Sequence, residues 1–345
     1  MATMKWIRFP VVAAVLSAIA VLFLSGCELF VDPAAPPFDD RIALTRRIDD
    51  VFALSPRGGV EMTVVDNGSG YFLLMRGPGR DGTDRVVAFD SSLRVRMNRT
   101  DLWAVPFAAP DANGDFVVGN VLFSGSTFAL ANPALPVPGD THAVVSSGLV
   151  NGIITTEDPA YTDLRMSRSF DDAWGNLDPP GELYPLFPDL VADPDGLIPL
   201  GGFELVAAQH DPGRDRSGVI LWNQLRARHF VVVLARSAVA DPLPTPLAPP
   251  QYFDDIDDAY PNIDETAVVL LPTQERDQPV FYTRRGIVVV RRDGDHEVYS
   301  LAGNRTASYR MDGRGDFDFA YAPDGRWMFF VDRQRGRLFR ASTWW

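Results

Sequence analysis

Residues 319–331 read Phe319-Ala-Tyr-Ala-Pro-Asp-Gly-Arg-Trp-Met-Phe-Phe-Val331, and the fold turns on how this stretch is read. Apolar and aromatic residues lead up to Ala322, Pro323-Asp324-Gly325 interrupts them, and Trp327 to Val331 resumes the run. Proline presets the φ that a turn needs at its first central position. Aspartate bonds the backbone ahead of it, and glycine supplies a positive φ without strain. Two β-rich segments flanking such a turn predict a hairpin.

The same pattern recurs outward from this hairpin. VEMTVV at 60–65 ends in Asp66-Asn67-Gly68, and YFLLM at 71–75 ends in a Gly-Pro-Gly-Arg-Asp-Gly run. RVVAF at 85–89 and LRVRM at 93–97 are separated by Asp90-Ser91-Ser92. The layout returns across 266–301 as TAVVLL, PVFYT, GIVVVRR and HEVYSLA. Turn signals every eight to twelve residues, with no useful 3.6-residue periodicity after residue 26, predict an all-β chain with little helix.

Four short strands in about 40 residues, met more than once, fit the blade of a β-propeller. The 319–331 stretch resembles the SPDG-type hairpin of TolB-like and related propellers. Ala109-Pro110-Asp111-Ala-Asn-Gly114-Asp-Phe-Val-Val-Gly119 resembles the related repeat of other bacterial propellers, and Asp193-Pro-Asp-Gly196 is a partial third copy. The resemblance implies a single propeller over 41–345. At ~45 residues per blade it would have six or seven blades, six being favoured. Another multi-strand β architecture, a sandwich or barrel, is the alternative. The last unit is short, so a strand from residues 42–54 is expected to complete it and close the ring, which protects an otherwise open edge.

The N-terminus carries an address. Lys5 and Arg8 precede an uncharged apolar run from Val11 to Leu24, followed by Leu24-Ser25-Gly26-Cys27. The run is shorter than the roughly 20 residues of a spanning helix and has the layout of a secretory signal over 1–26. The last four residues resemble the lipobox of bacterial lipoproteins, which implies cleavage before Cys27 and diacylglycerol (with palmitate-type chains) on its thiol. Cys27 is the chain's only cysteine. Residues 27–40, rich in proline and acid, read as a stiff tether. By the lipoprotein sorting rule, Glu28 in place of aspartate implies the outer membrane or cell surface rather than the inner membrane. Asp241 to Pro250 (DPLPTPLAPP) reads as a long surface loop inside the one domain.

Composition narrows the chemistry. The formal net charge is −13, which argues against nucleic acid, whose phosphates require a basic face. Lys5 is the only lysine and lies in the signal, so Schiff-base and P-loop chemistry are excluded from the body. With no cysteine beyond the anchor there are no disulfides and no thiol nucleophile.

Few residues in the body suggest a site. Among the four histidines, His142, His210, His229 and His296, none is paired at metal spacing. His210 draws attention because Gln209-His210-Asp211-Pro-Gly-Arg-Asp215 gathers polar groups on an expected loop, making His210, Asp211 and Asp215 the candidate ligand-binding residues. Asp254, Asp255, Asp257 and Asp258 concentrate carboxylates suited to a hard cation, but without the spacing that wraps one ion, so a solvated loop is the simpler reading. Asp171-Asp172 reads the same way. No G-x-S-x-G elbow occurs, and 322–327 approaches the sialidase Asp-box without its spacing. Trp103, Trp174, Trp222 and Trp327 read as blade packing. Trp344-Trp345 suggests a docked end or an external contact.

These observations favour a non-enzymatic, lipid-anchored propeller of the cell envelope that binds a protein or glycan, with no cofactor expected. The alternative is a carbohydrate-active or lactone-hydrolysing propeller with a central-channel site, for which a divalent cation is admitted. A structural envelope protein without a discrete ligand is a third reading.

Overall fold

The computed structural model describes residues 41–55, 58–66, 70–100, 116–118, 121–124, 130–132, 141–145, 153–156, 164–166, 184–185, 203–224, 226–236, 263–311, 317–343 and 345. The signal, Cys27 and the tether therefore lie outside the described residues. So do Asp171-Asp172, Asp193–Gly196, the proline-rich 241–250 stretch, the Asp254–Asp258 cluster, most of the 109–119 repeat, and Trp103, Trp174 and Trp344.

The architecture is an all-β propeller. After β1 (Ile42–Arg47), the first sheet is a meander of β2 (Glu61–Asp66), β3 (Tyr71–Pro78), β4 (Asp84–Asp90) and β5 (Val95–Arg99). The second has three described strands, β6 (Phe116–Val118), β7 (Val121–Phe123) and β8 (Leu130–Asn132). The third contains β9 (Thr141–Val145), β10 (Ile153–Thr156), β11 (Leu164–Met166) and β12 (Tyr184–Pro185). The fourth is β13 (Phe203–Asp211), β14 (Arg216–Asn223), β15 (Arg228–Arg236) and β16 (Ile263–Leu270). The fifth is β17 (Val280–Thr283), β18 (Gly286–Val290), β19 (Asp295–Tyr299) and β20 (Arg305–Arg310). The closing sheet joins β21 (Phe317–Tyr321), β22 (Trp327–Asp332) and β23 (Arg337–Ser342) to β1, in the order β1-β23-β22-β21. No α-helix occurs among the described residues.

The expected hairpin forms as read. Gly325 adopts φ +70°, its N–H bonds the Ala322 carbonyl at 2.8 Å, and the Ala322 N–H bonds Trp327 at 2.9 Å. The strand expected within 42–54 is β1, which runs antiparallel to β23 from Ile42↔Ala341 to Arg47↔Arg337. The edge left open by the last three strands is thus paired by the first one.

Packing between sheets explains the long apolar runs. A middle strand of a blade is covered on both faces, so it shows no in–out alternation. Val86 to Phe89 of β4, Val219 to Trp222 of β14, Phe230 to Leu234 of β15 and Ile287 to Val290 of β18 are all buried. One core cluster joins the first and closing sheets through Phe52, Leu73, Phe89, Phe329 and Leu338, with Leu44 of β1 packed against it. A second joins the fourth and fifth sheets through Ile220, Val231, Tyr282 and Ile287. Each such side chain contributes about 1.5–3 kcal/mol on burial. Polar staples reinforce the closure. Arg46 of β1 donates to the Leu93 carbonyl at 3.0 Å, Arg340 donates to the Ser91 carbonyl, and the Arg340 guanidinium lies 4.3 Å from the Trp327 ring centroid.

A chain beginning at Ile48 lacks β1 and exposes the edge of β23. It is expected to lose about 3 kcal/mol or more of stability relative to a chain beginning at Arg41 and to self-associate through that edge. Urea unfolding with light scattering measures both, and matching midpoints would show that β1 does not close the fold.

Candidate functional site

The first strands of four sheets lie together, β2 against β21 and β13, and β17 against β13 and β21. Each ends in a hairpin turn to the second strand of its sheet, so these turns gather at one end of the inner strands. Gln209, 4% exposed, locks three of these strands together. Its Nε2 donates to the Tyr321 carbonyl at 3.2 Å, and its Oε1 accepts from the Tyr282 N–H at 2.6 Å. A buried amide with both ends satisfied stabilises this arrangement, whereas a half-satisfied one would cost about 1–3 kcal/mol.

Two residues on, Asp211 is fully buried and binds Arg284 of the β17–β18 turn through Nε at 2.6 Å and through Nη2. Gly213 lets the guanidinium lie against the β13–β14 turn, where any Cβ would collide with it. The Arg284 N–H bonds the Pro323 carbonyl at 2.7 Å, carrying the link into the closing sheet. There Asp324, 6% exposed, accepts from the Arg326 N–H at 2.8 Å and from the Tyr71 hydroxyl of β3. Burial first, and then this bond to Asp324, push the Tyr71 phenol well above its ordinary pKa. The hydrogen bond to Asp211 raises the Arg284 pKa, with the charges of Asp211, Asp324 and Asp66 adding to it. Carboxylates and arginines therefore converge at this end, with Arg214, Arg285 and Arg326 exposed around them.

The candidate trio is separated by this geometry. Contrary to the loop reading, His210 sits on β13, 7% exposed, because the turn begins only after Asp211. Its Nδ1 lies 2.9 Å from Ser217 Oγ, its partner across the hairpin. Successive strand residues face opposite sides, so His210 and Asp211 do not converge. Asp215 lies in the turn with φ +50°. Among the described residues no group of three or more His, Cys, Asp or Glu is placed to hold a metal ion.

Sequence reading missed Gln209, Arg284, Tyr71 and a buried aromatic cluster. In that cluster His296 of β19, fully buried, places Nδ1 2.6 Å from the Tyr321 hydroxyl and 3.0 Å from the Tyr309 hydroxyl. The two phenols bond each other. His229 is likewise fully buried, with Nδ1 3.0 Å from Thr273 Oγ1 and its ring 4.8 Å from Trp222. Trp222 and Trp327 are blade packing, as expected. The only signal for His229 was its place beside an apolar strand run, and His296, in Asp295–Tyr299, had none.

The chain is similar in structure to the β-propeller domain of Cps50 (Swd1) from Myceliophteria thermophila, with 10% identity and a TM-score of 0.44 over 82% of this chain and 83% of that one. It is similar to BBS1N, solved in complex with ARL6DN, with 8% identity and a TM-score of 0.39 over 84% and 78%. It is similar to BamB from Moraxella catarrhalis, with 11% identity and a TM-score of 0.33 over 88% and 99%. No family model matches the sequence, and no curated protein does.

Asp211→Asn leaves Arg284, whose side chain is 27% exposed against 1% for Asp211, without its counter-charge. The expected loss is about 2–4 kcal/mol, part of which returns in the double variant with Arg284→Gln. Equal, additive losses by urea titration would show that the two do not act as a pair.

Burial lowers the His229 pKa to about 4. Its neutral form is favoured only in the folded state, so the associated stability is full above pH 6.5 and is lost as pH falls toward 4. His229→Gln is expected to remove about 2 kcal/mol of the stability lost between pH 7 and pH 5. Parallel stability–pH curves for the two proteins would contradict this.

Proposed function

We propose that the chain is an exported lipoprotein, held at the cell envelope by acyl chains on Cys27, whose propeller binds a protein partner without catalysing a reaction. The observation that carries this reading is Leu24-Ser25-Gly26-Cys27 after an uncharged apolar run, with the only thiol of the chain at the position lipid transfer requires. Each buried CH₂ contributes about 0.8 kcal/mol, so two or more acyl chains give a stable anchor. Glu28 favours an outward destination, and the acidic tether lifts the domain off the membrane.

The turn end of the inner strands is the surface this reading uses. Its carboxylates are committed to structure, Asp211 to Arg284 and Asp324 to Tyr71. That leaves a rigid platform with arginines at its rim, a residue type enriched in protein interfaces. A glycan is the alternative ligand for the same surface.

One observation favours a second reading, hydrolysis of a carbohydrate or lactone. Asp211 binds Arg284 directly, and the Arg284 N–H bonds the carbonyl of Pro323, next to Asp324, which is the convergence of carboxylates and arginine that such a site needs. Co-purifying divalent metal, removed by chelation together with thermal stability, would support that reading over the first.

In a bacterial host fed an alkyne-labelled fatty acid, the wild-type chain is expected to take up label and enter the detergent phase. Cys27→Ser should do neither. Label on the variant, or none on the wild type, would rule out the anchor.

A further inference from the structure

We propose that the outer edge of β16 is a self-association surface, to which a second copy of this chain adds its own β16 antiparallel, joining the two fourth sheets into one. β16 is the last strand of its sheet, and among the described residues it pairs only with β15. Backbone groups along an antiparallel strand point alternately to its two sides. The Leu271 N–H bonds the His229 carbonyl at 2.9 Å, so Leu271, Val269 and Ala267 turn toward β15. Val268 and Leu270 therefore turn their N–H and C=O outward. Side chains alternate as well. Val269 is buried in the core shared with the fifth sheet, with Ala267 packed against it, whereas Val268 is 37% and Leu270 45% exposed.

This edge lacks the protection that the other outer strands carry. Natural edges are blunted by charge, by proline or by shortness. β1 ends in Arg46-Arg47, β5 contains Arg96 and Arg99, and β20 begins with Arg305 and ends with Arg310. β8 has three residues and β12 has two, one of them Pro185. β16 has Asp264 and Glu265 near its start and no charge from Thr266 to Leu270. Large apolar side chains stand exposed at Val95, Val268 and Leu270 among the described residues, and two of these lie on this one strand.

The strand is complementary to itself in one register. With a two-fold axis at Val269, Val268 of each copy opposes Leu270 of the other. Both exposed apolar side chains then meet an apolar partner, and each pair exchanges two backbone bonds. The ladder stops at the same level in both copies. Thr266, the extra residue of the bulge between Glu265 and Ala267, comes opposite Pro272, which has no N–H to donate. Beyond it, Asp264 and Glu265 of one copy fall beside the 272–274 end of the other. There Arg228 donates to the Thr273 carbonyl, and Arg291, also paired with Glu297, donates to the Pro272 carbonyl at 3.1 Å. An acidic end thus meets a cationic one, whereas parallel pairing would lay Asp264 and Glu265 on their own copies.

A single short ladder buries less than the ~1,200 Å² of a stable complex, so the pairing is weak and reversible, with a dissociation constant of roughly 10–100 µM. β14 and β15 separate β16 from β13. The contact therefore leaves the inner strands uncovered, and a pair of copies presents two turn ends at once.

The chain from Arg41, which holds every described strand and no cysteine, is tested by sedimentation equilibrium. The wild type is expected to be monomeric when dilute and dimeric when concentrated. Leu270→Lys should raise the dissociation constant about tenfold or more, and Val95→Lys, at the exposed apolar residue of β5, less than about twofold. Both positions are exposed, so the fold survives either change. Register is read by mild oxidation of Val268→Cys mixed with Leu270→Cys. Opposed residues lie about 5.5 Å apart, within reach of a disulfide. The mixed dimer, told by its mass, is thus expected to form faster than the dimer of either variant alone. A wild type that stays monomeric up to about 1 mM would overturn the pairing. So would a dimer indifferent to Leu270→Lys, or same-variant disulfides that form as readily as the mixed one.

Discussion

Pairing of β1 with β23 is the constraint on which the other contacts depend. Five sheets can each be built from consecutive strands, but the last three strands need a fourth from the beginning of the fold. Until Ile42–Arg47 adds to β23, Arg46 cannot reach Leu93 and Leu44 cannot pack on the core shared with the first sheet. The closing sheet also carries Asp324 to Tyr71 and Pro323 to Arg284. Closing the ring thus costs a loop spanning almost the whole domain, a penalty that grows only slowly with length. It is offset by a ladder of backbone bonds and by burial on both faces of the middle strands.

The polar contacts at the turn end follow the same logic. Gln209, Asp211, Arg284 and Asp324 are each buried or partly buried, and each joins strands or turns of different sheets. A buried charge without a partner costs several kcal/mol, so these residues specify how one sheet sits against the next. Arg214, Arg285 and Arg326 stand exposed around them.

Much of the fold was legible because hairpin turns are written locally. Pro323-Asp324-Gly325 and Asp90-Ser91-Ser92 mark where strands stop, and the strands beside them agree with the structure to within a few residues. The closing strand was legible by default, since the last unit was one strand short. The candidate site was far less so. Gln209 meets Tyr282 and Tyr321, 73 and 112 residues away, and no local pattern encodes such a pairing. His210 was misread as a loop residue because Asp211-Pro212-Gly213 looks like a turn already under way, when β13 in fact continues through Asp211. His296, inside a strand of ordinary composition, carried no sign that two tyrosines from other strands would converge on it.

Ring closure can be tested directly by a designed disulfide between the two paired strands. Arg47 and Arg337 are directly opposed in the register of β1 and β23, a separation that two cysteines can bridge. In a Cys27→Ser background, Arg47→Cys with Arg337→Cys is predicted to oxidise rapidly to an intramolecular disulfide that raises the unfolding temperature and is reversed by reductant. Failure of the two thiols to join in the folded monomer would contradict the closed propeller.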